Sequence, residues 1–103
     1  MRIISEKRLR EFWEAARGSE AARRRKAMLE WRDTVRAADW NSFVDVRQTF
    51  NHADVYGDCV IFDVGGNKYR IIAKVRYRKH IVFIRSVLTH EEYDENNWCS
   101  DCE

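Results

Sequence analysis

A chain of 103 residues has room for one domain, which typically holds on the order of 100–150 residues. Its 45% apolar content, with four Trp, four Tyr and five Phe, suffices to close a core without staples of disulfide or metal. The net charge of +2 conceals a segregation: residues 64–90 carry seven Lys/Arg and no acid, and residues 91–103 carry six acids and no Lys or Arg, which suits a polyphosphate partner better than a sign-mixed solubilising face.

Met1-Arg2-Ile3-Ile4 runs straight into Ser5-Glu6-Lys7-Arg8 with none of the pattern of a signal peptide. No apolar run approaches the ~20 residues of a membrane span. A soluble, cytoplasmic chain without membrane contact is therefore expected. The first 40 residues read as two helices. Ser5 is a candidate N-cap of the first, and Leu9, Phe12, Trp13 and Ala16 fall at i, i+3, i+4 and i+7, one apolar stripe. Gly18 ends it, and Ser19 caps a second helix to about Ala38, with Met28, Trp31 and Val35 as its stripe. The run Arg23-Arg24-Arg25-Lys26 on that helix is either a solvated surface or a contact for nucleic acid or a partner.

After Trp40 the texture turns to β. A first strand is expected over 45–50, a second, rich in Val, Ile and Phe, over 58–64, a third over 68–77 and a fourth over 81–88. Gly65-Gly66-Asn67 supplies the positive-φ residues of a tight hairpin, and Arg78-Lys79-His80 makes the next turn. Residues 90–98 form a short acidic helical segment. Two helices followed by an antiparallel meander is an α+β fold: two N-terminal helices packed on one face of a four-stranded, mainly antiparallel sheet, with the other face open. The domain is expected over residues 1–94, with 95–103 as an acidic C-terminal tail.

The alternation along the third strand indicates what the open face does. Lys68, Arg70, Lys74 and Arg76 share one parity, interrupted by Ile72; Tyr69, Ile71, Ala73, Val75 and Tyr77 share the other and enter the core. Same-face residues repeat every ~6.6–7 Å along a strand, close to the phosphate spacing of a single-stranded nucleic acid. The competing explanation is a charged edge strand protected from aggregation, which fits poorly with a strand that has neighbours on both sides in sequence. Arg85 interrupts the apolar fourth strand, so it either reaches the sheet's open end or pairs with an acid. His90 leaves the end of that strand, with Tyr93 three residues on. An imidazole, a phenol and several cations at one rim suit metal-free cleavage of RNA, in which the substrate's 2′-OH attacks the adjacent phosphate. No carboxylate cluster that would hold Mg²⁺ lies on the basic strand, and no metal or other cofactor is expected.

Three cysteines, an odd number, argue against a disulfide framework. Cys59, in an apolar run, reads as a small buried hydrophobe, and Cys99 and Cys102 as ordinary thiols. Zinc held by His52, Cys59, Cys99 and Cys102 is the alternative, as part of an interaction protein.

Several blocks together are similar to a known family: Met1-Arg2-Ile3-Ile4-Ser5 with Leu9-Arg10-Glu11-Phe12-Trp13, Ala38-Asp39-Trp40, residues 64–70 (Val-Gly-Gly-Asn-Lys-Tyr-Arg), Phe83-Ile84-Arg85, and residues 89–94 (Thr-His-Glu-Glu-Tyr-Asp). In this order and spacing they resemble the HigB-type toxins of type II toxin–antitoxin systems, over Met1 to about Asp94. The resemblance implies a RelE-like fold and endonucleolytic cleavage of mRNA on the translating ribosome. It also implies neutralisation by a HigA-type helix-turn-helix antitoxin, with operator DNA reached only through the toxin–antitoxin complex. Carried over by residue, it implies a catalytic set of Arg70, Lys74, Arg85, His90 and Tyr93, with RNA held by Asn67, Lys68, Arg76 and Arg78. Two departures, Leu88 in place of Gly and Asp63 in place of Asn, are expected to leave the cationic set untouched. The tail over 95–103 lies outside the resemblance and receives no role. A non-catalytic RNA-binding regulatory module using the same basic face is the alternative function.

Overall fold

The computed structural model describes residues 1–103. Strand β1 (Arg2–Ile4) leads into helix α1 (Lys7–Glu14), helix α2 (Gly18–Ala37) and helix α3 (Phe43–Thr49). Strands β2 (Asp54–Tyr56), β3 (Cys59–Val64), β4 (Tyr69–Arg76) and β5 (Ile81–Thr89) follow, then helix α4 (His90–Asp94) and a 3₁₀ turn at Cys99–Cys102. The five strands form one sheet in the order β1-β5-β4-β3-β2, antiparallel except where β1 pairs parallel to β5.

The α+β class with helices on one sheet face holds, and the expected sheet of four strands is corrected at two places. Residues 45–50 are not a strand: they lie in or just after α3, where Ser42 stands extended before the helix and Trp40 Nε1 donates to Thr49 Oγ1 (3.1 Å) across it. The two short outer strands, β1 and β2, were not expected as strands. Strand β1 is placed by long-range contacts: Ile3 pairs with Val82, and the Met1 amino group donates to the carbonyls of Val35 (3.1 Å) and Ala38 (2.6 Å) at the end of α2.

The helix starts also differ from expectation. Glu6 rather than Ser5 occupies the N-cap of α1, while Ser5 adopts φ +71°. Gly18 begins α2 after an extended Arg17, so Ser19 lies inside the helix and does not cap it. Of the expected stripes, Leu9 and Phe12 on α1 and Met28, Trp31 and Val35 on α2 are buried, whereas Trp13 is half-buried and Ala16 lies beyond the end of α1.

These stripes close on Tyr69, Ile71, Ala73 and Val75 of β4, Val82 and Ile84 of β5, and Val60, Phe62 and Val64 of β3. Phe62 sits within an aromatic cluster, its ring 5.3 Å from Trp31, 6.0 Å from Trp40 and 5.2 Å from Phe50 between centroids. Burying each such side chain contributes roughly 1.5–3 kcal/mol, which is why the sheet presents this face to the helices and its other face to the charged residues.

Turns fall where the residues permit them. Gly65, Gly66 and Asn67 all have positive φ in the β3–β4 hairpin, as does His80 before β5. Strand β4 lies in the middle of the sheet, so its cations are not edge protection. No helix is long and apolar enough to cross a membrane.

Candidate nucleic-acid interface

Strand pairing places the candidate cations on one side of the sheet. Arg70, Ile72, Lys74 and Arg76 share the face opposite the helical core, with Asp63 directly across from Arg70 on β3 and Leu88 across from it on β5. Lys68 precedes β4 and is exposed in the hairpin rather than on the strand. Between Ile72 and Ala73 the β4–β5 register skips from Ser86 to Ile84, so Arg85 is the extra residue of a β-bulge. A bulge bends the strand and re-aims its unpaired residue, which brings the Arg85 guanidinium to the charged side, 5.3 Å above the Phe83 ring.

This face is not the open surface expected. Residues 96–103 turn back through Asn96 (φ +64°) and lie across it. Trp98 and Cys102 bury themselves against Cys59, Ile61 and Ile72, leaving Ile72 1% exposed. The thiol assignment is corrected at the same place: Cys59 and Cys102 form a disulfide, and only Cys99 is free. The four-ligand set of His52, Cys59, Cys99 and Cys102 is therefore not assembled. The cause is the fold-back, which brings Cys102 over β3 although 43 residues separate the two cysteines.

Each deep cation has a defined partner. Arg70, 8% exposed, donates to Asp63 Oδ1 (3.1 Å), Asn67 Oδ1 (2.7 Å) and the carbonyls of Asn67 and Tyr69, and its guanidinium lies 5.0 Å over the Tyr93 ring. The expectation that Asp63 and Leu88 leave the cationic set untouched is therefore wrong, since both are cross-strand partners of Arg70 and Asp63 bonds it. Lys74 Nζ is 3.4 Å from Asp58 Oδ2. Arg85 donates through Nε to Asp101 Oδ2 (2.7 Å) and through its terminal amine to Asp101 Oδ1 (2.8 Å). This hydrogen bonding holds the Asp101 carboxyl below its usual range and raises the guanidinium's value further. Arg76 and Arg78 are exposed on and just beyond the end of β4 and enter no salt bridge.

The candidate acid–base groups divide between the face and the rim. Tyr93 is stacked on Trp98 (centroids 5.0 Å, planes 10° apart), and burial raises its phenol above the ordinary value, only partly countered by Arg70. His90 opens α4, which the Thr89–Glu92 capping box fixes in place, and its backbone N–H donates to the Lys68 carbonyl (3.0 Å). Its Nδ1 is 2.9 Å from Asp94 Oδ2, one turn on. A carboxylate accepting from Nδ1 orients the ring and leaves Nε2 as the free nitrogen. The half-exposed ring borders a shallow recess of about 340 Å³ shared with Asn67, Lys68 and Glu20. Arg85 and Tyr93 do not line that recess.

Three partners were not foreseen from the sequence: Asp58, Asp63 and Asp101, which pair with Lys74, Arg70 and Arg85. For Asp101 the available signal was the block of tail acids immediately following the purely basic stretch. On α2, Arg23 and Arg24 pair with Glu20, and Arg25 lies 5.8 Å over Trp13.

Comparison with known proteins agrees with the fold. The profile of the HigB toxin family, described as the RelE-like toxic component of a toxin–antitoxin system, matches residues 24–96. A 34-residue stretch is 47% identical to the mRNA interferase toxin HigB of Escherichia coli (strain K12), covering 33% of each chain. The mRNA interferase HigB proteins of Escherichia coli O157:H7 and Shigella flexneri match to the same extent. The matched stretch thus spans a third of the length of these curated relatives. With most of the chain matched by the family profile, this protein belongs to the HigB family of RelE-like toxins.

Proposed function

We propose that this chain is a ribosome-dependent mRNA endoribonuclease, the toxin of a type II toxin–antitoxin pair, neutralised by a HigA-type helix-turn-helix antitoxin. The observation that carries the reading is the placement of Arg70, Lys74, Arg76 and Arg85 on one sheet face, with His90 at the rim where β5 ends.

The chemistry uses the substrate's own 2′-OH. His90 Nε2 accepts its proton, the oxygen attacks the adjacent phosphorus, and the P–O5′ bond breaks as the 5′-oxygen takes a proton from water, giving a 2′,3′-cyclic phosphate and a 5′-OH end. Guanidinium and ammonium groups neutralise the charge that builds on the pentacoordinate phosphorus. Burial keeps Tyr93 protonated, and with Trp98 stacked on its ring and the Arg70 guanidinium over it, this side chain positions that cation. The Asp94 carboxylate holds the imidazole in place through Nδ1. Lys68, Asn67, Arg76 and Arg78 extend the grip along the RNA, Asn67 in part by steadying Arg70.

Expression of the chain without its antitoxin should arrest growth, and Arg85→Ala or His90→Ala should relieve the arrest while the protein stays folded. Full toxicity of both variants would refute the assignment. The second reading, a non-catalytic RNA-binding module, draws on the engagement of Arg70, Lys74 and Arg85 by carboxylates. It predicts RNA binding without new 5′ ends.

A further inference from the structure

We propose that Asp101 occupies, from within the chain, an anion seat presented by Arg85, and that the Cys59–Cys102 disulfide keeps it there, so that the oxidised chain is closed to RNA phosphate and the reduced chain open. The RNA part of this proposal rests on the function proposed above; the anion seat does not.

The contact between Arg85 and Asp101 is bidentate, two parallel hydrogen bonds of 2.7 and 2.8 Å. A guanidinium fork presents the same two donors to a carboxylate and to a phosphate, so a group that holds one in this geometry will take the other. The bulge at Arg85 turns this side chain out of the strand's regular alternation and toward the tail. Lys74 is paired with Asp58, whose backbone N–H donates to the Cys102 carbonyl (3.0 Å). The tail thus holds Arg85 directly and packs on the turn whose Asp58 holds Lys74.

The anchoring of this segment is extensive. Trp98 stacks on Tyr93, meets Tyr56 edge-on (5.1 Å between centroids), and donates from Nε1 to the Tyr93 carbonyl (2.9 Å). Tyr56 donates its hydroxyl to Glu103. At Gly57 (φ +57°) a Cβ would lie 2.0 Å from the Cys102 carbonyl oxygen, so the close approach of the tail depends on that glycine.

Magnitudes decide which of these contacts matters for closure. A surface ion pair such as Arg85–Asp101 is weak by itself, too weak to exclude a polyanion that engages several cations together. The disulfide changes this by pinning the tail down, so that Asp101 competes from within the chain at an effective concentration on the order of millimolar or above. Reduction removes that pin and leaves Asp101 held only by the backbone and the tail's non-covalent contacts. A thiolate of a dithiol attacks one sulfur of the Cys59–Cys102 bond, the other leaves as a thiolate and is protonated, and the dithiol's second thiol resolves the mixed disulfide. Two electrons and two protons pass to the protein, giving two thiols, and the reductant leaves as a cyclic disulfide. Both sulfurs are buried, so this exchange follows local opening of the tail.

Two probes test the proposal on the full chain. The first is inorganic phosphate, followed through the NMR signal of the Arg85 Nε–H group. The second is a fluorescent single-stranded RNA, followed by anisotropy. Asp101→Ala, Cys102→Ser and dithiothreitol-treated wild type should each bind both probes about tenfold more tightly than oxidised wild type, and Cys99→Ser should match oxidised wild type. Asp101→Ala keeps the disulfide and so remains informative where Cys102→Ser fails to fold. Superposable phosphate titrations for oxidised wild type, reduced wild type and Asp101→Ala would overturn the proposal. Phosphate binding that follows the predicted order, with no RNA bound in any state, would support the internal anion seat and refute the RNA reading.

Discussion

Asp63 on β3 accepts a hydrogen bond of 3.1 Å from the guanidinium of Arg70, the residue directly opposite it on β4. Arg70 is nearly buried, and a buried cation requires its acceptors. Asp63→Ala should destabilise the fold by about 1–3 kcal/mol in urea denaturation, because the remaining acceptors at Asn67 and Tyr69 are neutral. Asp63→Asn, which keeps an acceptor oxygen, should cost less. Equal losses for the two variants would mean that an acceptor oxygen facing Arg70 contributes nothing beyond the carboxylate charge.

The Cys59–Cys102 bond closes a loop across a sequence separation of 43 residues. A crosslink of that span stabilises by about 2–4 kcal/mol, mainly by restricting the unfolded chain. Oxidised protein should therefore melt well above the same protein in dithiothreitol, while Cys59→Ser should melt with the reduced form and ignore the reductant. Identical melting of oxidised and reduced protein would remove the disulfide from the account of the fold.

Two glycines with positive φ separate backbone freedom from close packing. Gly66 (φ +63°) faces open space, so Gly66→Ala should cost only the left-handed conformation, about 1 kcal/mol. Gly57→Ala meets the Cys102 carbonyl as well, and should cost more and loosen the tail, seen as faster amide exchange at residues 98–103. Equal costs at the two positions would place the tail away from the β2–β3 turn.

Alkaline titration reports on the same tail. The hydrogen bond from Tyr56 to Glu103 pushes its phenol up to about 12, and Tyr69, Tyr77 and Tyr93 are raised chiefly by burial. A phenol with a raised folded value contributes stability that is complete below its unfolded value near 10 and is lost as pH rises through the folded value. Tyrosine ultraviolet absorbance should accordingly show no ionisation at the ordinary value, and Glu103→Gln should return one of the four phenols toward it. An unchanged profile in Glu103→Gln would exclude the Tyr56–Glu103 contact.

How much of this was legible depended on how local each signal was. The alternation of β4 and the Gly65-Gly66-Asn67 hairpin are written into neighbouring residues, and both the core face and the cationic face followed from them. Strand β1 has three residues and pairs with β5 nearly 80 positions away, so no local pattern announces it. Phe43–Thr49 contains Val44 and Val46 in a two-residue alternation that imitates a strand, and tertiary contacts of Trp40 and Phe50 decide for a helix. At the site, parity placed Arg70, Lys74 and Arg76 on one face but said nothing of what covers it. That cover depends on a reversal at Asn96 and a distant cysteine pairing, both set by the folded surface.

Whether the cationic face and His90 together cut RNA is read most directly by mapping 5′ ends of a translated message in an extract containing purified, reduced protein. New 5′-OH ends are expected within the reading frame, dependent on active translation, with a loss of about 100-fold or more in their rate for His90→Ala. Cutting by His90→Ala at the wild-type rate, or no new ends with the wild-type chain, would contradict the proposed cleavage.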